Sequence, residues 1–130
     1  MSQIDRGFDA AFAASELSDA PRAGLRMGAA LFSGPRLLTL GANLYERSHP
    51  KSEYRALENF TRSTHCEHQA LLRWQHYDKS KRLTLFVARR RHDGTVGNSR
   101  PCKNCMSLCR ALGIRKVWFY EHAVRMEVMP

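Results

Sequence analysis

Two short clusters in the sequence have the residue types and the spacing that bind a metal ion. One is His65-Cys66-Glu67, and the other is Pro101-Cys102-Lys103-Asn104-Cys105. Cys102 and Cys105 have the C-x-x-C spacing that lets two thiolates bind one metal at the start of a helix, and His65 could add a nitrogen ligand. Three protein ligands leave a fourth tetrahedral position for water, which is typical of catalytic zinc. Zinc would lower the pKa of that water towards neutrality.

Glu67 lies two residues after His65 and has a role of its own in this arrangement. Its carboxylate could carry a proton to and from the water without binding the metal. A helix start at each cluster adds partial positive charge, which favours the thiolate forms of Cys102 and Cys105. An alternative stays open, because Thr64-x-x-Glu67 also matches a helix capping box, in which Glu67 would only satisfy backbone donors.

A structural zinc site is the alternative to a catalytic one, and it needs a fourth protein ligand. The candidates are Cys66, Cys109 and His68. Cys109 shares an apolar helix face with two leucines, which favours a small core residue. Four histidines are expected at the solvated surface: His68, His76, His92 and His122.

Apolar periodicity predicts three helices and five strands that position these clusters. The helices span 4–17, 64–77 and 102–112, and the strands span 27–32, 37–44, 83–89, 116–120 and 123–129. The continuous apolar run at 83–89 is typical of a central strand. The glycine, asparagine and serine residues of the segment 92–100 predict a loop. Pro101 fits the first turn of the third helix. About two residues join the last two strands, too few for a parallel crossover, so this pair is predicted to be antiparallel.

The length and the net charge of the chain limit the number of domains and the kinds of partner that are expected. The 130 residues, 43% of them hydrophobic, predict one domain spanning 1–130. The net charge of +9 favours an anionic partner such as a nucleotide or a nucleic acid. The sequence has no apolar run long enough to span a membrane and no hydrophobic signal core, so a cytoplasmic protein without a membrane partner is expected.

The two clusters reproduce the H-x-E…P-C-x-x-C signature, and the chain resembles the zinc-dependent cytidine/deoxycytidylate deaminase-like superfamily over roughly residues 4–129. The order of predicted elements is similar as well. The resemblance implies an α/β fold, the cytidine deaminase-like three-layer α/β/α sandwich, with a mixed sheet of about five strands and an antiparallel C-terminal hairpin. It also implies Zn²⁺ as the cofactor, with His65, Cys102 and Cys105 as ligands and Glu67 as the proton shuttle.

The resemblance and the sheet together suggest substrate-binding residues. Asn43, at the end of the second strand, matches the family's substrate-binding asparagine, although a turn residue is the alternative. Cys66 stands where the family usually has alanine or valine, and its backbone N–H can still bind the base carbonyl or the activated water. Arg89, Arg90 and Arg91 follow a central strand, at whose carboxyl end ligands bind, so they are expected on the zinc side near phosphate. A solvated basic surface is the alternative.

The function implied is hydrolytic deamination of a cytosine nucleoside or nucleotide to uracil, with release of ammonia. The compact chain resembles the free-nucleoside branch of the family. One alternative is deamination of cytosine or adenine in single-stranded DNA or RNA, which the charge and the basic, aromatic loop 45–63 favour. Another is a non-catalytic, zinc-stabilised nucleic-acid-binding module. Because the family commonly assembles, a homo-oligomer is a further expectation.

Overall fold

The computed structural model describes residues 1–44, 65–74, 77 and 82–130. Its regular elements are, in chain order, α1 (Gln3–Ser15), a 3₁₀ turn (Ala23–Leu25), β1 (Met27–Ser33), β2 (Arg36–Ala42), α2 (Cys66–Arg73), β3 (Leu83–Arg90), β4 (Val96–Gly97), α3 (Lys103–Leu112), β5 (Lys116–Glu121) and β6 (Val124–Val128). The predicted loop 45–63 and His76 lie outside the described residues. Among the residues that are described, no helix combines the length and the apolar character needed to cross a membrane.

The strands form one mixed sheet in the order β2-β1-β3-β5-β6, with the short β4 paired to β3. β1 is antiparallel to both β2 and β3, whereas β3 and β5 are parallel. β3 is central, as its apolar run predicts, because it is buried on both faces. β5 and β6 are antiparallel, which confirms the prediction from their short connection. The predicted loop 92–100 contains the additional strand β4.

Helices cover both faces of the sheet, which confirms the predicted three-layer sandwich. Phe8 and Ala11 of α1 pack with Phe86 and Ala88 of β3 on one face. α2 and α3 pack on the other face, which we call the metal face, against alternate β3 residues that include Leu85 and Val87. The alternation follows from the strand geometry, in which successive side chains point to opposite faces.

Two glycines allow a helix to lie close to the sheet. A methyl group on Gly41 of β2 would overlap with backbone atoms of Cys66 and Ala70 in α2. A methyl group on Gly28 of β1 would overlap in the same way with α1, on the opposite face. Each glycine therefore sets the distance between one helix and the sheet.

Local signals place the helix ends, with small shifts from the predicted bounds. Ser2 caps α1 through a capping box with Asp5, whose carboxylate also accepts a 2.7 Å bond from Arg125 of β6. α2 ends at Arg73 rather than at residue 77, because Trp74 has an extended backbone. Pro101 precedes the N-cap of α3 instead of lying in its first turn, and Gly113 ends that helix with a φ of 80°.

Candidate active site

The two sequence clusters meet at the starts of α2 and α3. His65 is the N-cap of α2, and Cys102 is the N-cap of α3, with Cys105 one turn further along. His65 Nδ1 lies 3.3 Å from Cys105 Sγ and 3.6 Å from Cys102 Sγ, and the two sulfur atoms are 3.4 Å apart. Residues about forty positions apart in the chain thus converge on one point because the two helices begin side by side on the metal face.

The distances between these three donor atoms fit a zinc ion. In a tetrahedral site with Zn–S bonds of about 2.3 Å and Zn–N bonds of about 2.0 Å, two sulfurs lie about 3.8 Å apart and a sulfur and a nitrogen about 3.5 Å apart. The distances here agree with these values within a few tenths of an ångström. One imidazole and two thiols are also the donor set that zinc prefers.

The electrostatics of the two thiols also indicate a cation site. The hydrogen bond with Cys105 lowers the pKa of Cys102 to about 3. The same bond, followed by burial, raises the pKa of Cys105 far above its usual value. Without a metal, one thiol and one thiolate share this bond, because two negative sulfurs 3.4 Å apart would repel each other. A cation between them would remove that penalty, since a metal binds thiolates and releases their protons.

Glu67 lies beside the cluster with its side chain 2% exposed. Its Oε1 accepts a 2.7 Å hydrogen bond from Cys66 Sγ. His65 is the N-cap of α2, so Glu67 is the second residue of the helix and not the third. The capping-box alternative requires Thr64 as the N-cap and Glu67 at the third position. The register of α2 therefore contradicts that alternative.

A cavity of about 200 Å³ opens beside the metal cluster. Besides His65 and Cys102, its lining residues are Met27, Asn43, Cys66, Glu67 and Arg100. Glu67, His65 and Cys102 therefore line a common space, where a small substrate could reach all three.

No protein-family model and no curated protein sequence matches this chain. The 1.6 Å crystal structure of cytidine deaminase from Burkholderia pseudomallei superposes with a TM-score of 0.68 at 20% identity, covering 99% of this chain and 93% of the other. The dCMP deaminase from the cyanophage S-TIM5, in its apo form, superposes with a TM-score of 0.59 at 18% identity, covering 88% and 79%.

The chain has a cytidine deaminase-like fold. The mixed sheet between helical layers, inferred from the H-x-E…P-C-x-x-C resemblance, is the architecture of that fold. In the described part of the chain the sheet consists of the five predicted strands and the two-residue β4, which agrees with the prediction of about five strands. At these identities the superpositions establish the fold, and the roles of individual residues rest on the geometry of this chain.

None of the three candidates for a fourth ligand joins the metal cluster. Among the described residues, the group of metal-binding side chains within 4.8 Å of one another consists of His65, Cys102 and Cys105. Cys109 is fully buried, and burial raises the pKa of its thiol to about 12, in agreement with a core position. His68 is also fully buried, so its prediction as a surface residue is wrong. Its ring stacks on that of His65 with the centroids 5.7 Å apart.

Asn43 supports the wall of the cavity through its amide. Its Oδ1 accepts a bond from Met27 N at 2.9 Å, and its Nδ2 donates to Leu25 O at 2.8 Å. These bonds hold the start of β1 beside the end of β2. An amide oxygen can accept a second hydrogen bond and its NH₂ group can donate another, so the predicted contact with substrate stays a prediction.

The three consecutive arginines after the β3 core do not share one face. The side chain of Arg89 points to the same face of the sheet as that of Val87. It passes over Gly97, and a methyl group on Gly97 would lie 2.5 Å from Arg89 Nε. Arg90 faces α1, with its guanidinium 4.3 Å from the centroid of the Phe12 ring, so its prediction on the zinc side is wrong. Arg91 is exposed. The cause is the pleat of the strand, which alternates successive side chains.

Two residues that line the cavity, Met27 and Arg100, are missing from the predicted site. Arg100 could have been suspected because it immediately precedes Pro101-Cys102 and must therefore lie near a predicted metal ligand. Met27 gives no local signal, since it reaches the cavity only through the pairing of β1 with β2 and β3. Its position depends on the sheet and not on its neighbours in the chain.

Proposed function

We propose that the protein is a zinc-dependent hydrolase that deaminates the cytosine base of a nucleoside or nucleotide. The observation that carries the proposal is a cavity lined by Glu67 and by two members, His65 and Cys102, of a three-residue cluster that could hold zinc. In the reaction, water supplies the oxygen of the new carbonyl, the bond between the ring carbon and the exocyclic nitrogen breaks, and ammonia leaves. Zn²⁺ bound by His65, Cys102 and Cys105 would supply Lewis acidity that lowers the pKa of water.

Glu67 is proposed to move the protons of this reaction. A carboxylate has about four lone-pair sites, so the bond from Cys66 Sγ at Oε1 leaves capacity to accept a proton from the attacking water. The same carboxylate can then donate that proton to the leaving nitrogen. Burial of Glu67 keeps competing water away from the proton path and strengthens its interaction with a substrate.

The start of α2 is proposed to orient the base. Cys66 is the first residue of that helix, and its N–H belongs to the first turn, whose donors have no partner inside the helix. This N–H can donate to the carbonyl oxygen of cytosine, as the family resemblance implies. Asn43 and Met27 line the same cavity and are proposed to limit the position of the sugar.

The direct test is mass spectrometry of the reaction products of zinc-loaded protein. The substrates to offer are cytidine, deoxycytidine, their 5′-monophosphates, adenosine and single-stranded oligonucleotides. We expect uracil products from the small cytosine substrates. The matched control is Glu67→Gln, which should bind the same amount of zinc and form almost no product.

Two results would contradict this function. Zinc-loaded protein that leaves every substrate unchanged would favour the non-catalytic zinc module. Deamination confined to oligonucleotides would favour the single-stranded nucleic acid alternative, whose main support is the net charge of +9.

A further inference from the structure

Arg100 is a cation at the edge of the metal cavity, and its role is not explained by the chemistry described so far. Of the described residues that line this cavity, it is the one with a permanent positive charge. Its side chain is 57% exposed, so it lies at the mouth of the cavity and not at its base. A guanidinium stays charged at all physiological pH values and offers five N–H donors.

The backbone on both sides of Arg100 is firmly held. The preceding Ser99 is buried, and its Oγ donates to Val87 O at 2.7 Å and accepts from Tyr120 N at 2.9 Å. Pro101, on the other side, is buried and leads directly to the metal-binding Cys102. The position of Arg100 relative to the metal cluster is therefore fixed by the structure around it, which reduces the entropy lost on binding a ligand.

The present contacts of the Arg100 guanidinium are weak. It lies 3.5 Å from Glu121 Oε2, and its Cζ lies 5.3 Å from the centroid of the Phe119 ring. An exposed ion pair of this kind contributes little, so most of the donor capacity can be given to a ligand. Phosphate is the anion that best matches a guanidinium, because two parallel N–H groups can bind two of its oxygens.

The size of the cavity decides which part of a ligand meets Arg100. A volume of about 200 Å³ is smaller than a typical drug-sized pocket, so it has room for a base and part of its sugar. A charged group on the sugar would then extend to the mouth. One cation in the described lining matches one phosphate group better than the several phosphates of a strand.

We propose that Arg100 forms a phosphate subsite and that the preferred substrate is a cytosine nucleoside monophosphate. This assignment rests on the proposed function, since it takes the base to lie beside the zinc ligands. Glu121 competes with the phosphate for the guanidinium and thereby weakens the binding of substrate. Arg100 and Glu121 together set the preference for a phosphorylated over a bare nucleoside.

The test compares kcat/KM for deoxycytidine 5′-monophosphate with that for deoxycytidine. In Arg100→Ala we expect the ratio of the two values to fall by about 10- to 100-fold, mostly through KM, because a charge-assisted hydrogen bond is lost. In Glu121→Gln we expect KM for the monophosphate to fall by about two- to fivefold, because the competing carboxylate is removed. Arg110→Ala is the control for net charge, since Arg110 lies at the far end of α3 and should leave the ratio unchanged.

Binding of the products provides a second measurement that does not need turnover. Calorimetry should show that wild-type protein binds deoxyuridine 5′-monophosphate more tightly than deoxyuridine, and that Arg100→Ala loses this preference. If wild-type protein deaminates neither substrate but shows the binding preference, the proposed function fails and the phosphate subsite stands. If both substrates lose the same factor in Arg100→Ala, or if only an oligonucleotide is bound and deaminated, the subsite assignment is wrong.

Discussion

Gly41 offers the sharpest test of how the sheet positions the metal site. Its α-carbon faces α2, and the methyl group of Gly41→Ala would lie 2.9 Å from Ala70 Cα and would also overlap with Cys66 O. Carbon atoms in favourable contact are about 3.5–4.0 Å apart, so α2 must move outward by at least about 0.6 Å. His65 is the residue before Cys66, and its imidazole would move with the helix. Donor distances in zinc sites are defined to about 0.2 Å, so the displaced donor fits the metal poorly.

The expected result of Gly41→Ala is a loss of both stability and zinc affinity. Overpacking typically costs about 1–3 kcal/mol, which corresponds to a decrease in Tm of roughly 3–15 °C for a chain of this size. Zinc affinity should fall by about 10- to 100-fold, as when the support of a ligand is removed. The measurements are thermal melting by circular dichroism and competition for zinc with a chromogenic chelator.

Gly28→Ala is the matched control for this experiment. Its methyl group would overlap with backbone atoms of α1 at least as severely, because Ala11 O would lie closer to it than any atom of α2 lies to the methyl group of Gly41→Ala. α1 packs on the face opposite the metal cluster and contributes none of its ligands. We therefore expect a decrease in Tm at least as large as that of Gly41→Ala, with zinc affinity unchanged. Equal losses of zinc affinity in both variants, or wild-type affinity in a destabilised Gly41→Ala, would refute the reasoning.

Three further predictions concern single side chains. Glu67→Gln is expected to lower turnover by about 10²- to 10⁴-fold, because the amide cannot transfer the proton. Zinc content and Tm should stay unchanged, because the amide oxygen still accepts the bond from Cys66 Sγ. A variant that keeps most of its turnover would show that Glu67 has no role in proton transfer. Cys66→Ala is expected to leave two sulfur ligands per zinc in X-ray absorption spectra, and the loss of one would show that Cys66 binds the metal. Asp5→Asn is expected to lower the Tm at neutral pH, because the hydrogen bond from Arg125 lowers the pKa of Asp5. A lowered pKa means that the ionised carboxylate stabilises the fold at pH values above the pKa of Asp5 in the unfolded chain, and that this stabilisation is lost as the pH falls through the pKa in the folded protein. The Tm difference between wild type and Asp5→Asn should therefore shrink below about pH 4. A Tm difference that stays constant with pH would contradict the ion pair.

The site could be predicted from the sequence where its residues are close in the chain. The C-x-x-C spacing and the H-x-E triplet place their side chains within one turn of a helix start, and that geometry is local. The bounds of the strands followed from apolar runs, and the antiparallel hairpin β5–β6 followed from a connection too short for any other arrangement. The different orientations of Arg89, Arg90 and Arg91 could also have been predicted, because successive side chains of a strand point to opposite faces of the sheet.

Contacts between residues that are distant in the chain could not be predicted, because the sheet brings these residues together. His65 reaches Cys102 because β1, β3 and β5 set the spacing of α2 and α3, and no periodicity in the sequence contains that information. The burial of His68 follows from the same packing, since a polar residue next to a ligand gives no local sign of the helix face that the sheet will cover. Arg100 is brought to the cavity mouth by the bonds of Ser99 to β3 and β5.

The sequence by itself determined which groups could bind zinc and move a proton, because those properties depend on residue type and local spacing. The tertiary structure decided which other groups share the cavity with them, because strand order and side-chain alternation bring together residues that are far apart in the chain.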